Sequence, residues 1–189
     1  MTQDDESCLT GQFLIAMPSL MDPNFAQTVT FLCQHSAQGA LGIVVSRLLD
    51  IRLSSILESM QIPIQDQRAV EVPVYLGGPV QPERGFVLHS PLGNWQGTLA
   101  VSEEIGLTTS RDILEAIAAG EGPEKYLVAL GYAGWGEGQL EREILENAWL
   151  NAPADLHILF DLPPAKRWRA AALRLGIDLG RMSLQAGHG

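Results

Sequence analysis

Gly131-Tyr132-Ala133-Gly134-Trp135-Gly136-Glu137-Gly138-Gln139-Leu140-Glu141 is the stretch of this chain whose residue types most invite a chemical reading. Four glycines at irregular spacing surround one indole, and an acidic segment with helical character follows. Glycine at that density frees φ and lets backbone or ligand come close, at a cost in conformational entropy. A glycine loop between a strand and a helix is the usual cradle for a phosphate. Here the spacing of Gly134, Gly136 and Gly138 is GxGxG and not GxGxxG, and the loop has no lysine, serine or threonine to complete a phosphate site. Glu137, Glu141 and Glu143 already place negative charge where the helix dipole favours it, so an arriving phosphate would meet carboxylates. The preferred reading is a strand-to-helix corner, with Gly134, Trp135 and Gln139 kept as candidate binding residues.

A second cluster joins Gly77-Gly78-Pro79 to Arg84-Gly85 and His89. Consecutive glycines can form a backbone nest for an anion, and Arg84 could supply a charged fork. The alternative is a tight turn between strands that needs glycine for its φ values alone. Cys33-x-His35 sets two ligand-type side chains on one face of a regular strand. A metal needs three or four ligands, and His89, His157 and His188 stand in no ligand spacing. No metal and no cofactor is expected, and Cys33 reads as a small core hydrophobe. No GxSxG elbow is present, and Ser19 has no recognisable base near it in sequence. Glu103-Glu104 reads as a solvated pair, and Trp95, Trp135, Trp149 and Trp168 read as core or interface anchors.

The elements that must position these residues are mixed. Short strands are expected at Phe13–Ala16, Val29–Leu32, Ala40–Val45, Val74–Leu76, Phe86–His89, Thr98–Val101 and Tyr126–Ala133. Leu156–Phe160 reads as a strand or a short apolar segment. Leu53, Ile56, Leu57 and Met60 recur at helical spacing, with Asp50 as N-cap. Thr109 or Ser110 caps a second helix through Ile113, Leu114 and Ile117, closed by Gly120 and Gly122. Gln139–Trp149 is amphipathic, and Pro163-Pro164 opens a last helix through Trp168, Ala171, Ala172 and Leu175, stopped by Gly176. Ile62–Val72 is polar, contains Pro63 and reads as a loop. Strands cluster early and centrally without regular βα alternation, which argues for an α+β fold.

At 189 residues, 46% hydrophobic and 18% charged, the chain is large enough for a substantial core and is expected to form one domain, 1–189, with residues 1–8 as a flexible tail. The net charge of −10 keeps it soluble and repels polyanions, so direct binding to duplex DNA is not expected. The charge is uneven: Lys166, Arg167, Arg169, Arg174 and Arg181 crowd the last quarter, where Asp178 is the only acid after Asp161. Such a basic helix is a solvated face or a docking site for an acidic partner. Two cysteines form no disulfide framework, the N-terminus is acidic where a signal peptide is basic, and no apolar run approaches membrane-spanning length. The expectation is a cytoplasmic protein with no membrane association.

Several blocks together resemble the YqgE/AlgH family of bacterial proteins. They are Gly11–Phe25, Thr28-Val29, Leu32–His35, Gly39–Gly42, Val74–Val80, Arg84–His89, Gly131–Glu141 with Glu143-Ile144 and Trp149-Leu150, then Trp168, Leu175–Asp178 and Gly187-His188. Two places depart from the family pattern. Ser46-Arg47-Leu48 stands where the family often reads Asn-Arg-Pro, so no proline fixes that turn, although Arg47 is kept. The chain ends Gly187-His188-Gly189 where the family usually ends Gly-His-Ala. The resemblance implies a compact α+β fold, a strongly coiled, partly barrel-like mixed sheet packed around a few core helices. It implies no established reaction; relatives are labelled uncharacterised, or transcriptional regulators. A non-enzymatic binding or regulatory protein is therefore expected, acting on a small ligand or a protein partner. Its candidate surface is Asn24, Gly77, Gly78, Arg84, His89, Gly134, Trp135 and Gln139. The alternative is an unrecognised enzyme, such as a hydrolase, with His89 or His35 as base.

Overall fold

The computed structural model describes residues 8–186, with side chains as far as Met182, so most of the expected tail and the Gly187-His188 block lie outside the described residues. The strands are β1 (Gln12–Ala16), β2 (Val29–Ser36), β3 (Gly39–Val44), β4 (Leu48–Arg52), β5 (Pro73–Leu76), β6 (Val80–Ser90), β7 (Thr98–Ala100), β8 (Gly106–Thr108), β9 (Lys125–Trp135) and β10 (Trp149–Pro153). The helices are α1 (Leu53–Ser59), α2 (Arg111–Ala119), α3 (Gln139–Leu145), α4 (Pro164–Leu173) and α5 (Leu179–Ala186). One sheet runs β10-β1-β2-β3-β9-β6-β8-β7, with β4 and β5 joined to it by a parallel β5–β9 pair. The other pairings are antiparallel, so this is the expected α+β fold built on a curled, half-barrel sheet.

The curl shows in how the core divides. Strand side chains alternate between faces, so Phe13 and Ile15 share one face of β1 while Leu14 and Ala16 take the other. On the first face, residues from β1 through β8 join a single cluster with Trp168, Ala171 and Ala172 of α4 and Leu179 of α5. α4 packs directly on β1, β2 and β10, and the cluster runs on from them across the inner face to β8. On the outer face the buried residues split into two groups, one under α1 and α2 and one under α3. Three hydrogen bonds lock α4 inside. The Trp168 indole donates to the Ala16 carbonyl at 2.8 Å, and the buried Arg167 guanidinium donates to the carbonyls of Val45 at 2.9 Å and Leu162 at 3.0 Å. Arg167 also lies 5.2 Å over the Tyr75 ring. The expected basic face is therefore smaller than the sequence indicates. Arg174 pairs with Asp155 and Arg181 with Asp178, which leaves Lys166 and Arg169 beside a shallow hollow at the start of α4.

Several boundaries differ from expectation. Asp50 is not a helix cap. It lies within β4, paired with β5, and Arg52 occupies the cap position of α1 without a side-chain bond. The helix expected over Gln139–Trp149 stops at Leu145. Asn147 takes a left-handed φ of 62°, and Trp149 then opens β10 against Ala16. Burial of the Trp149 indole outweighs continued helix. Leu156–Phe160 becomes a wide helical turn, His157–Asp161, which feeds Pro164 into α4. The last helix breaks after Leu173 and α5 follows. The 62–72 segment is a loop, yet it is stitched to α2 by the Gln65 and Asp66 amides, both donating to the Ala118 carbonyl at 2.9 Å. Ser110 and Gly120 bracket α2 as expected, Gly120 with a φ of 81°.

Candidate functional site

The expected one-face pairing of Cys33 with His35 fails for a specific reason. The β2–β3 register runs Leu32↔Gly42 and then Gln34↔Leu41, so Cys33 is an extra, bulged residue. A bulge shifts the alternation of side chains by one. Cys33 joins the inner core beside Phe31, and burial pushes its thiol pKa up, which keeps it protonated. His35 turns to the outer face. Its Nδ1 accepts the Leu9 amide at 3.0 Å, so Nε2 carries the proton and donates to Glu141 Oε1 at 2.5 Å. That bond to His35 holds the Glu141 carboxyl below its ordinary pKa. Among the described residues no group of His, Cys, Asp and Glu side chains could hold a metal ion.

The bulge also shapes an open groove on the inner face. It has a volume of about 830 Å³ and is lined by Gln34, Leu41, Leu99, Tyr132 and Gly134, with Cys33 at its base. Apart from His35, whose ring nitrogens are both engaged, the lining holds no ionisable side chain except the buried Cys33 thiol and the Tyr132 phenol. No helix contributes to it. Gly134 is paired with Leu41, and the space above it is free. A Cβ added there would meet the Tyr132 ring at 3.5 Å, an ordinary contact. Glycine weakens a strand interior, and where packing does not require it, it marks a place left open for something else to approach.

The neighbouring glycines have the opposite character. Gly77 donates to the Leu130 carbonyl and accepts from the Val44 amide, each at 2.8 Å. A methyl group at Gly77, Gly78 or Gly131 would overlap the backbone of the opposite segment. These three permit the chain between β5 and β6 to cross β9 in direct backbone contact. A methyl at Gly39 would likewise overlap the Trp135 carbonyl.

Trp135 and Gln139 belong to a network centred on a residue that sequence reasoning treated only as an acidic helix start. Glu143 Oε1 accepts the indole N–H of Trp135 at 3.2 Å and of Trp149 at 3.0 Å. Its Oε2 accepts Gln139 Nε2 at 2.8 Å, and Gln139 Oε1 accepts the Gly136 amide at 2.9 Å. Phe25 closes the cluster, with ring centroids 6.1 Å from Trp135 and 5.5 Å from Trp149. The four-residue step from Gln139 to Glu143 was a readable signal of one helix face. Convergence of two distant indoles on that carboxylate was not. Asn24 precedes Phe25 in an exposed loop that Arg47 ties down through the carbonyls of Pro23 at 2.6 Å and Ala26 at 2.7 Å. Arg47 thus ties the 46–48 turn to the Pro23–Ala26 loop although no proline follows it.

The structure joins Trp135 and Gln139 in the Glu143 network on the outer face, with Asn24 next to Phe25 of the aromatic cluster, while Gly134 opens onto the groove on the inner face and Gly77 and Gly78 lie against Gly131 and Tyr132 of β9. It does not bring Arg84 or His89 to either place. Arg84 lies 5.1 Å over Phe86, whose ring packs against Tyr132 at 5.8 Å, so two rings separate it from the groove. His89 is buried on the outer face. Its Nδ1 donates to the Pro91 carbonyl at 2.9 Å and its Nε2 accepts from the Thr108 hydroxyl at 2.6 Å. Burial lowers its pKa, which favours the neutral ring.

Comparison with known proteins agrees with this architecture. A family model described as AlgH-like matches residues 13–180. A UPF0301 protein of Thioalkalivibrio sulfidiphilus is 60% identical over 96% of this chain and 97% of its own length. One from Methylococcus capsulatus is 56% identical over 96% of each. The solution structure of the AlgH protein from Pseudomonas aeruginosa superposes with a TM-score of 0.80 at 51% identity, covering 100% of both chains. A Corynebacterium diphtheriae protein shares the fold at a TM-score of 0.71 and 18% identity, over 88% of this chain and 86% of its own. This chain belongs to the AlgH-like, UPF0301 family.

Proposed function

We propose that this chain is a non-enzymatic cytoplasmic binding protein with a regulatory role, and that the groove over Gly134 is its recognition surface. The observation that carries this reading is a strand glycine, at the floor of the groove, that neither φ nor packing requires. The lining supports an uncharged or weakly polar ligand, because no free cation is present to hold a phosphate. The net charge of −10 argues that regulation runs through a protein or a small molecule, not through duplex DNA. Both cysteines are free, as expected of a reducing compartment.

A hydrolase is the second reading, favoured by the close His35–Glu141 pair at the groove's rim. Against it, His35 has no ring nitrogen left for a substrate proton, and His89 is equally engaged.

A thermal-shift screen against metabolites, nucleotides and peptides, run on wild type and Gly134→Val, tests the first reading. Ligands of the groove raise the wild-type melting temperature and leave the variant's unchanged. Equal shifts in both proteins would place binding elsewhere. Ligand turnover that His35→Gln abolishes would favour the hydrolase.

A further inference from the structure

On the outer face of the sheet, away from the groove, α1 and α2 lie over one core cluster and are bridged at the surface by Arg111, which donates to the Met60 carbonyl. Between them a cleft of about 400 Å³ runs down to the strands. Its floor is Gly85 and Val87 of β6 with their partners Leu130 and Val128 of β9. Ile56 of α1 and Met60 just after it form one wall and Leu114 of α2 the other. These three wall side chains are only partly buried, although they pack on the core beneath α1 and α2. The volume falls within the roughly 300–1,000 Å³ of small-molecule sites.

We propose that this cleft is a second binding site, for a small, uncharged, mainly hydrocarbon molecule with a single hydroxyl or carbonyl at one end. Three observations carry it, and none depends on the groove. First, Gly85 repeats the pattern of Gly134. It is a strand residue with no left-handed φ, and an added Cβ would meet only a Leu130 methyl, at 3.9 Å. The fold does not need glycine there, and any larger side chain would fill the floor of the cleft. Second, β6 leaves its partner next to this point. Its register with β9 jumps from Val80↔Tyr132 to Gly85↔Leu130, so the residues between bow away and keep that end open.

Third, the polarity is graded. The body of the cleft is aliphatic, and hydroxyl groups gather where β8 leads into α2. The Thr108 hydroxyl sits there, buried, donating to His89 and bonded at 2.7 Å to the Thr98 hydroxyl. Thr109 and Ser110 follow it along the lining; the Ser110 hydroxyl is taken by the Gly97 amide and Asp112, so the exposed Thr109 hydroxyl is the partner left for the ligand's polar end. The charged groups of the lining, Glu83 and Arg111, are exposed at the mouth. Arg111 is already engaged by the Met60 carbonyl at 2.9 Å and by Glu115 at 3.1 Å. A charged head group would gain no free counter-ion and would give up hydration, so a neutral polar end is the fitting one. Enclosure by a floor and two helical walls suits a small molecule better than a flat protein surface.

The test is titration of the methyl-labelled protein with 1-octanol, octanoate and octylammonium, followed by NMR. Saturable shifts at Ile56, Met60, Leu114 and Leu130 are expected with octanol, with at least tenfold weaker binding of the two ions. Gly85→Val, which fills the floor, and Leu114→Phe, which fills from the opposite wall, should each abolish the shifts. The melting temperature of each variant identifies any that fails to fold. Absence of saturable shifts in wild type would overturn the proposal. So would shifts that survive in both folded variants, or octanoate binding as tightly as octanol.

Discussion

Trp135 of β9, Trp149 of β10 and Gln139 of α3 all donate to the carboxylate of Glu143. Charged hydrogen bonds contribute about 1.5–3 kcal/mol each, and a buried donor left alone costs about as much. Glu143→Ala should therefore lower stability by about 3 kcal/mol, with a red shift of tryptophan emission in the folded state. Urea denaturation followed by fluorescence reads both. His89 makes a prediction of the other kind, in pH. Its folded pKa lies below the ordinary value near 6.5, so the folded state binds fewer protons than the unfolded chain. Its contribution to stability is complete above about pH 6.5 and is lost as pH falls through the folded pKa. The urea midpoint of wild type should fall more steeply than that of His89→Gln between pH 7.5 and 5. Parallel profiles would mean that the ring is not held neutral.

Among the elements, the crossing of the β5–β6 connection over β9 is the tightest fit. Gly77→Ala and Gly78→Ala push a methyl into backbone, which cannot yield as a flexible side chain can, so losses above about 3 kcal/mol or failure to fold are expected. Gly134→Ala, a few residues beyond the crossing point on β9, should change stability by no more than about 1 kcal/mol. Denaturation midpoints of the three variants separate the architectural glycines from the open one. Arg167→Ala removes the bonds to the Val45 and Leu162 carbonyls and should cost about 2–4 kcal/mol, although its sequence context is a surface-like basic helix.

Legibility from sequence followed the same division. The strands β1, β2, β3, β6 and β9 were readable because β-branched and apolar runs carry their own signal. The α+β class followed from their clustering. β4, β8 and β10 were missed: Asp50 and Trp149 owe their strand conformation to partners well separated in sequence, and the three residues of β8 are too few to carry a pattern of their own. The bulge at Cys33 was invisible for the same reason: it exists only in the register with β3. The Gly134 motif was found, but which of its glycines are demanded by packing depends on distances that composition cannot carry.

Taken as a whole, the molecule is a half-barrel whose inner face is plugged by α4 and α5 at one part and left open at another. No helix among the described residues is long and apolar enough to cross a membrane. The open part is where Gly134 lies, and we propose that the protein acts through it. The most direct measurement replaces the encoding gene with a Gly134→Val version in its own organism and compares the transcript profile with that of wild type and of a deletion. The variant is expected to accumulate to the normal level yet reproduce the deletion profile. A profile indistinguishable from wild type, at the same protein level, would contradict it.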